Sequence, residues 1–204
     1  MEKQDYYYTI ANKSRVEIKI KGSRFIASAC STASKEEAMA FLEQMRTEFY
    51  NATHNCYAYR IGNLGSEYRF SDDGEPNGTA GKPILFILSK FDVSDTTVVV
   101  TRYFGGTKLG VGPLARAYSQ AAEEALAICL KKQIWITKQY IIFCTYEDVS
   151  NVKKVIEQFS ISYEEEYSDT VRYTAEIPVS QIEEFSQKIT NITNARAGVL
   201  PGAF

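Results

Sequence analysis

The sequence has few of the residues that build metal or disulfide sites. It contains one histidine, His54, and four cysteines that show neither C-x-x-C spacing nor a disulfide-framework pattern: Cys30, Cys56, Cys129 and Cys144. These features argue against a structural zinc site. We therefore expect four reduced thiols in a cytoplasmic protein that has no metal or other cofactor.

Long apolar runs and a strong net charge are also missing. No apolar run approaches the roughly 18 residues that a membrane span needs, and the chain shows no basic-then-apolar leader. The net charge is −2, which taken alone argues against a nucleic-acid binder. Residues 1–134 carry 17 Lys/Arg and 15 Asp/Glu (+2), whereas residues 135–204 carry 6 and 10 (−4). We expect no membrane partner, and a nucleic-acid partner only through a local basic face.

The patterns that are present divide the chain into two parts. Residues 1–134 mix strand and helix patterns of α+β character. Residues 135–204 follow the order βαββαβ, which is the ferredoxin-like plan. The last helix of that part is predicted over Ser180–Ile189, with Ser180 and Glu183 forming a capping box. The sequence therefore predicts an α+β protein with two domains, 1–134 and 135–204.

An acidic, glycine-rich turn precedes one helix of the first part. It contains Asp72, Asp73 and Glu75, and the helix is predicted over Thr79–Leu88 with Thr79 as its N-cap. Clustered carboxylates can hold Mg²⁺ with several waters retained, or share protons for acid–base chemistry. Ser, Asp, Gly, Pro and Asn are also the residues that turns prefer, and we favour this interpretation. If the protein is an enzyme, the three carboxylates are its candidate catalytic residues.

A basic, glycine-rich segment follows the buried strand Thr96–Arg102 and leads into a helix predicted over Gly112–Lys132. The segment 96–122 contains three cations and no acidic residue. The first N–H groups of a helix lack partners and lie at its positive end, so they can bind an anion. A tight crossover that needs glycine for packing explains the segment equally well. The candidate phosphate-binding residues are Lys82, Arg102, Gly105, Gly106, Lys108, Gly110, Gly112 and Arg116.

Other motifs carry less weight. His54 and Cys56 lie on the same face of a predicted strand, which allows a Cys–His catalytic pair, but we expect both to be structural. Gly110–Ala115 matches G-x-G-x-x-A, yet the strand ends several residues too early for a dinucleotide fingerprint. A P-loop frame around Lys82 would place Pro76 where glycine is required. We reject both nucleotide motifs.

Two segments, Ser71–Leu85 and Val98–Tyr118, together resemble the IMPACT family, also called the YigZ family. The glycine after the acidic turn, the aliphatic pair Ile84-Leu85 and the block Arg102–Gly110 carry this resemblance. Lys21–Ile26 resembles the early segment of the family. The resemblance extends over essentially the whole chain.

The resemblance implies an N-terminal domain with the fold of the second domain of ribosomal protein S5. It also implies a C-terminal ferredoxin-like domain similar to the last domain of the ribosomal translocase. Both folds recur in proteins that contact RNA, and eukaryotic members modulate translation through a stress-kinase pathway. Those members have an extra N-terminal interaction domain for which we expect no room here, so we do not carry that role over. Pro113 departs from the glycine usual in the family and removes one N–H from the helix start.

We favour a non-enzymatic protein that associates with RNA or the ribosome and acts in translation. In this hypothesis Arg102, Lys108 and Arg116, with Lys82 nearby, contact phosphates without reading the base sequence. The main alternative is an enzyme that acts on a phosphorylated small molecule with Mg²⁺, because the S5-like fold is shared with small-molecule kinases. A third hypothesis is an interaction module whose acidic C-terminal domain binds a basic partner. The oligomeric state, and whether the two glycine-rich turns share one cleft, are left open.

Overall fold

The computed structural model describes residues 5–202. The chain folds into two compact units: the first is Tyr7–Ile134, and the second is Trp135 onward together with Asp5 and Tyr6. Both units combine helices with antiparallel sheet, so the predicted two-domain α+β class is confirmed. Within the described residues, no helix combines the length and the apolar character needed to cross a membrane.

The first unit is organised around one five-stranded sheet and three helices. Its elements in chain order are β1 (Tyr6–Ile10), β2 (Ser14–Ile20), β3 (Ser23–Ser31), α1 (Lys35–Glu48), β4 (His54–Ile61), β5 (Glu67–Ser71), α2 (Gly81–Lys90), β6 (Thr96–Tyr103), α3 (Val111–Ala127) and β7 (Lys131–Trp135).

The strand β6 lies at the centre of the sheet, whose order is β2-β3-β6-β4-β5. A central strand is covered on both faces, which suits the unbroken run of valines in β6. Val98 and Val100 belong to the core beneath α2 and α3, and Val99 belongs to the core beneath α1. The sheet therefore separates two apolar layers.

Two helices of this unit differ from their predicted bounds. The helix α2 begins at Gly81, not at Thr79, because the Thr79 hydroxyl donates to the Pro76 carbonyl instead of capping the helix. The predicted extension of α3 to Lys132 is wrong, since the helix ends at Ala127 and the following residues form β7. Pairing of β7 with β1 satisfies backbone groups that a longer helix would have used internally.

The second unit contains a four-stranded antiparallel sheet with order β11-β8-β10-β9, covered by two helices. Its elements are β8 (Thr137–Cys144), α4 (Val149–Phe159), β9 (Ser162–Tyr167), β10 (Val171–Pro178), α5 (Ile182–Thr193) and β11 (Gly198–Pro201). The predicted βαββαβ order is confirmed. The predicted capping box is wrong: α5 begins at Ile182, and the Ser180 hydroxyl donates to the Asp5 carboxylate.

Candidate functional site

The acidic and basic glycine-rich turns meet at one cavity in the first unit. The cavity has a volume of about 360 Å³. Glu75 and Pro76 line it from the acidic turn, and Arg102, Phe104 and the segment 108–111 line it from the basic side. The remaining lining residues are Thr53, His54 and Leu114. The question that the sequence left open is thereby answered, because both turns contribute to the same cleft.

The register of three strands places the central residues of this site. Arg102 on β6 pairs with Phe25 on β3 and with His54 on β4. Residues directly opposite on neighbouring strands lie about 4.5–5.5 Å apart, so the three side chains are neighbours. The Arg102 guanidinium also lies over the rings of Phe25, at 5.3 Å, and of Phe104, at 5.5 Å. The sheet thus holds Arg102 against aromatic surface at the cavity.

Arg102 forms a buried ion pair with Glu75. Its Nη1 atom lies 2.6 Å from Glu75 Oε1, and the two side chains are only 6 % and 4 % exposed. The Nη2 atom donates to Ser23 Oγ at 3.3 Å, whereas Nε is buried and has no hydrogen-bond partner among the described residues. We predicted Arg102 to be a phosphate-contacting cation. The structure shows its charge opposed by a carboxylate beneath the surface.

Tyr118 and Cys56 extend this network into the core. The Tyr118 hydroxyl donates to Glu75 Oε1 at 2.7 Å, and Cys56 Sγ donates to the Asp72 carbonyl at 3.0 Å. Burial raises the pKa of the Cys56 thiol and of the Tyr118 hydroxyl well above their ordinary values. Both groups therefore stay protonated near neutral pH, so Cys56 is not an activated thiolate partner for His54.

His54 presents one ring nitrogen towards the cavity. Its Nδ1 atom lies 2.8 Å from the Asp73 carbonyl oxygen, which can only accept, so Nδ1 carries the hydrogen. Its Nε2 atom lies 3.8 Å from Glu75 Oε2, beyond hydrogen-bond distance. The only other ionic or hydrogen bonds of the Glu75 carboxylate in the described part of the chain use Oε1. His54 Nε2 and Glu75 Oε2 are thus available to a ligand.

The three carboxylates of the acidic turn have three separate roles. Asp72 accepts from the N–H groups of Gly78, Ala80 and Gly81 and so caps α2. Asp73 accepts from the Asn55 N–H at 2.6 Å and also contacts an arginine of α1. Glu75 alone faces the cavity. In the part of the chain that the structure describes, no three His, Cys, Asp or Glu side chains converge closely enough to hold a metal ion.

Three of the predicted phosphate-binding residues are exposed cations at the starts of α2 and α3. Lys82, Lys108 and Arg116 are exposed and form no ion pair within residues 5–202. Lys108 lines the cavity, and the Arg116 guanidinium lies beside Gly112 in the first turn of α3. No side chain caps this helix. Its first N–H groups therefore remain available to an anion.

Helix α2 begins at the same end of the unit as α3. Pro76, shortly before α2, lines the cavity together with Val111, the first residue of α3. Lys90 at the end of α2 contacts Glu123 in the second half of α3 at 2.6 Å. The two helices therefore run in the same direction. Lys82 lies in the first turn of α2 and is not among the residues that line the cavity.

The glycines of the basic segment are required for different structural reasons. A Cβ at Gly105 would lie 1.9 Å from the backbone of Gly22, so the two loops approach too closely for any side chain. Gly106 and Gly110 have φ values of +82° and +83°, which favour glycine. Gly112 has neither constraint; a Cβ there would lie 3.5 Å from the Arg116 guanidinium. Packing thus explains Gly105, and turn geometry explains Gly106 and Gly110.

Comparison with known proteins identifies both halves of the chain. Residues 21–126 match the Impact N-terminal domain, and residues 142–196 match the domain of unknown function DUF1949. The IMPACT family member YvyE of Bacillus subtilis is 35% identical over 202 residues, covering 96% of this chain and 91% of that protein. The IMPACT family member YigZ of Escherichia coli is 34% identical over 184 residues, covering 89% and 90%. A crystal structure of a hypothetical protein matches over 98% of both chains, with 32% identity and a TM-score of 0.70. The chain therefore belongs to the IMPACT family.

Proposed function

We propose that this protein associates with RNA or the ribosome, as a non-enzymatic factor of translation, through a basic face. The basic face consists of Lys82, Lys108 and Arg116 with the free N–H groups at the start of α3. One observation carries the proposal: Lys108 and Arg116, two exposed cations that form no ion pair within residues 5–202, lie beside an uncapped helix start, and nearby carboxylates are engaged internally. Membership of the IMPACT family supports the link to translation, since related folds recur in proteins that contact RNA.

The charge distribution of the site suits a polyanion despite the net charge of −2. Glu75 is paired with Arg102, and Asp72 accepts hydrogen bonds from N–H groups at the start of α2. Both interactions reduce the repulsion that these carboxylates exert on a phosphate. Lysine, arginine and helix-start N–H groups contact phosphates without reading the base sequence. We therefore expect binding that depends on RNA structure and salt more than on sequence.

Binding to structured RNA and to ribosomes over a salt series tests the proposal. Each phosphate contact contributes about −0.7 to −0.9 to the slope of log K against log salt, so three contacts predict a slope of about −2 to −3. The variant Lys108→Glu/Arg116→Glu should lose this binding. The variant Lys13→Glu/Lys35→Glu, which changes the net charge equally on exposed residues of the first unit that do not line the cavity, should retain it. Absence of wild-type binding at low salt would refute the proposal.

A second candidate is an enzyme that acts on a phosphorylated small molecule. The observation that favours it is the cavity of about 360 Å³, where the acidic and basic turns converge as a ligand pocket requires. Because Asp72 and Asp73 bind main-chain groups, we expect turnover to be independent of Mg²⁺. Phosphorus NMR of phosphorylated metabolites incubated with the protein tests this candidate. Unchanged spectra with and without Mg²⁺ would eliminate it.

A further inference from the structure

We infer that the cavity of the first unit holds one nucleotide, with the base inside and the phosphate at the start of α3. The inference rests on the proposed association with RNA, whose contacts it extends from phosphates to a single base. Such a nucleotide can come from an RNA chain or from a free mononucleotide. The argument for this ligand class has three independent parts: the shape of the cavity, its anion-binding end and its hydrogen-bonding end.

The size and walls of the cavity suit one base. A volume of about 360 Å³ is at the small end of ligand pockets, which span about 300–1,000 Å³, and leaves no room for an extended strand. Its walls include Pro76, Leu109 and Leu114 together with the ring of Phe104. Phe104 is 47% exposed although Arg102 lies over its ring, so part of the ring is open for stacking. Every base offers a planar face for such a contact.

The anion-binding end consists of Lys108 and the first N–H groups of α3. Lys108 and Val111 line the cavity, so a phosphate there would meet a cation and a helix start together. The Arg102 guanidinium pairs with Glu75 and so belongs to the other end of the cavity. The Glu75 side chain is only 4 % exposed, lines the cavity and has no hydrogen-bond partner for Oε2 among residues 5–202. A buried polar atom without a partner is costly, so this carboxylate is evidence for a ligand that does not depend on the helix start.

The hydrogen-bonding end offers acceptors. Glu75 Oε2 and His54 Nε2 lie 3.8 Å apart, and the hydrogen on His54 Nδ1 is directed to the Asp73 carbonyl. Neither atom donates to the other in this tautomer, so both can accept a hydrogen bond from the ligand. Adenine, guanine and cytosine carry exocyclic amines whose two N–H groups can serve both acceptors, whereas uracil offers only its single N3–H donor. We therefore expect nucleotides of these three bases to bind more tightly than those of uracil.

Calorimetric titration with AMP, GMP, CMP and UMP tests the inference directly. The variant Phe104→Ala removes the stacking surface, and the matched control Phe86→Ala removes an exposed phenylalanine of α2 that does not line the cavity. We expect Phe104→Ala to weaken nucleotide binding about 5- to 150-fold, the range found when base stacking is removed. Phe86→Ala should leave the affinity unchanged. Circular dichroism of both variants verifies that they fold.

The outcomes separate this inference from the proposed function. Failure of all four mononucleotides to bind, or equal effects of Phe104→Ala and Phe86→Ala, would overturn the inference, even if salt-dependent RNA binding persists. Displacement of the mononucleotide by a 5′-phosphorylated oligoribonucleotide would support it and identify RNA as the source. Binding that depends on Phe104 but is not displaced by RNA would support it with a free mononucleotide as ligand. That last result, without RNA binding at any salt, would refute the proposed function alone.

Discussion

The buried ion pair between Glu75 and Arg102 should make the first unit sensitive to any change that leaves one charge behind. The two side chains are 4 % and 6 % exposed, and their charged atoms lie 2.6 Å apart. Removing one partner of a buried pair costs about 3–5 kcal/mol, because the remaining charge is poorly solvated. We expect Arg102→Met and Glu75→Leu each to lower the free energy of unfolding by about this amount.

The double variant Glu75→Leu/Arg102→Met should be more stable than either single variant. It leaves no buried charge, and its main cost is the loss of one hydrogen bond each for Tyr118 and Ser23. A lost hydrogen bond of this kind costs about 1 kcal/mol, so we expect a total cost of about 2 kcal/mol. The non-additivity of the two substitutions is therefore the quantity that identifies the pair.

Urea unfolding followed by far-UV circular dichroism measures these free energies. Lys90→Met is the control, because it breaks an ion pair in the same unit whose side chains are 52 % and 43 % exposed. Exposed pairs contribute about 0–1 kcal/mol, so this variant should be nearly as stable as the wild type. The reasoning fails if the single variants at Glu75 and Arg102 behave like Lys90→Met. It also fails if the free energy of unfolding of the double variant falls by the sum of the two single decreases.

Three further predictions follow from the site and the second unit. Gly105→Ala forces a Cβ to 1.9 Å from the facing backbone of Gly22. It should lower the free energy of unfolding of the first unit by about 3 kcal/mol or more, the upper end of the range for overpacking. Gly106→Ala places its Cβ with no atom within 4 Å, so it should lower the free energy of unfolding by only about 1 kcal/mol, because φ is positive there. Urea unfolding measures both variants. Equal losses of stability in the two variants would contradict the close approach of the loops at Gly105. Asp72→Ala should lower the stability of the first unit by about 2 kcal/mol. Asp72→Asn should lower it less, because one acceptor oxygen remains to cap α2. Identical losses of stability of the two variants in thermal unfolding would argue against capping. The guanidinium beside Asp148 holds the pKa of that carboxyl below its usual range, so its contribution to stability is present above about pH 4 and is lost as the pH falls further. Asp148→Asn should reduce the decrease in stability between about pH 4 and lower pH, measured by unfolding at a series of acid pH values and followed by the fluorescence of Trp135. An unchanged dependence of stability on pH would contradict this prediction.

Much of the architecture follows from local patterns in the sequence. Alternating side chains locate the strands, and the capping residue Ser34 marks the start of α1, where its hydroxyl accepts from the Glu37 N–H. Patterns of this kind depend on neighbours within one helical turn or one strand. They fail where a distant residue competes. Ser180 looks like an N-cap, but its hydroxyl binds Asp5, 175 positions away, so α5 begins later.

The candidate site was only half predictable for the same reason. The glycines, Lys108 and the acidic turn are visible as local motifs, and the structure brings them to one cavity. The partners of Arg102 are not visible, because Glu75 is 27 positions away and only the sheet register brings His54 beside it. Tyr118 looks like an ordinary member of the apolar stripe of α3. Its role emerges from a hydrogen bond to a residue 43 positions earlier.

The late position of β6 in the chain has a consequence for synthesis. Both strands that pair with it, β3 and β4, are complete before Thr96 has been made. At about 5–20 residues per second, the completed β3 strand waits several seconds with an unpaired apolar edge. Such an edge is open to pairing with other chains, so a nascent chain of this protein is most prone to aggregate just before Tyr103 emerges. Slower elongation before β6 would prolong that exposure, and slower elongation after it would not.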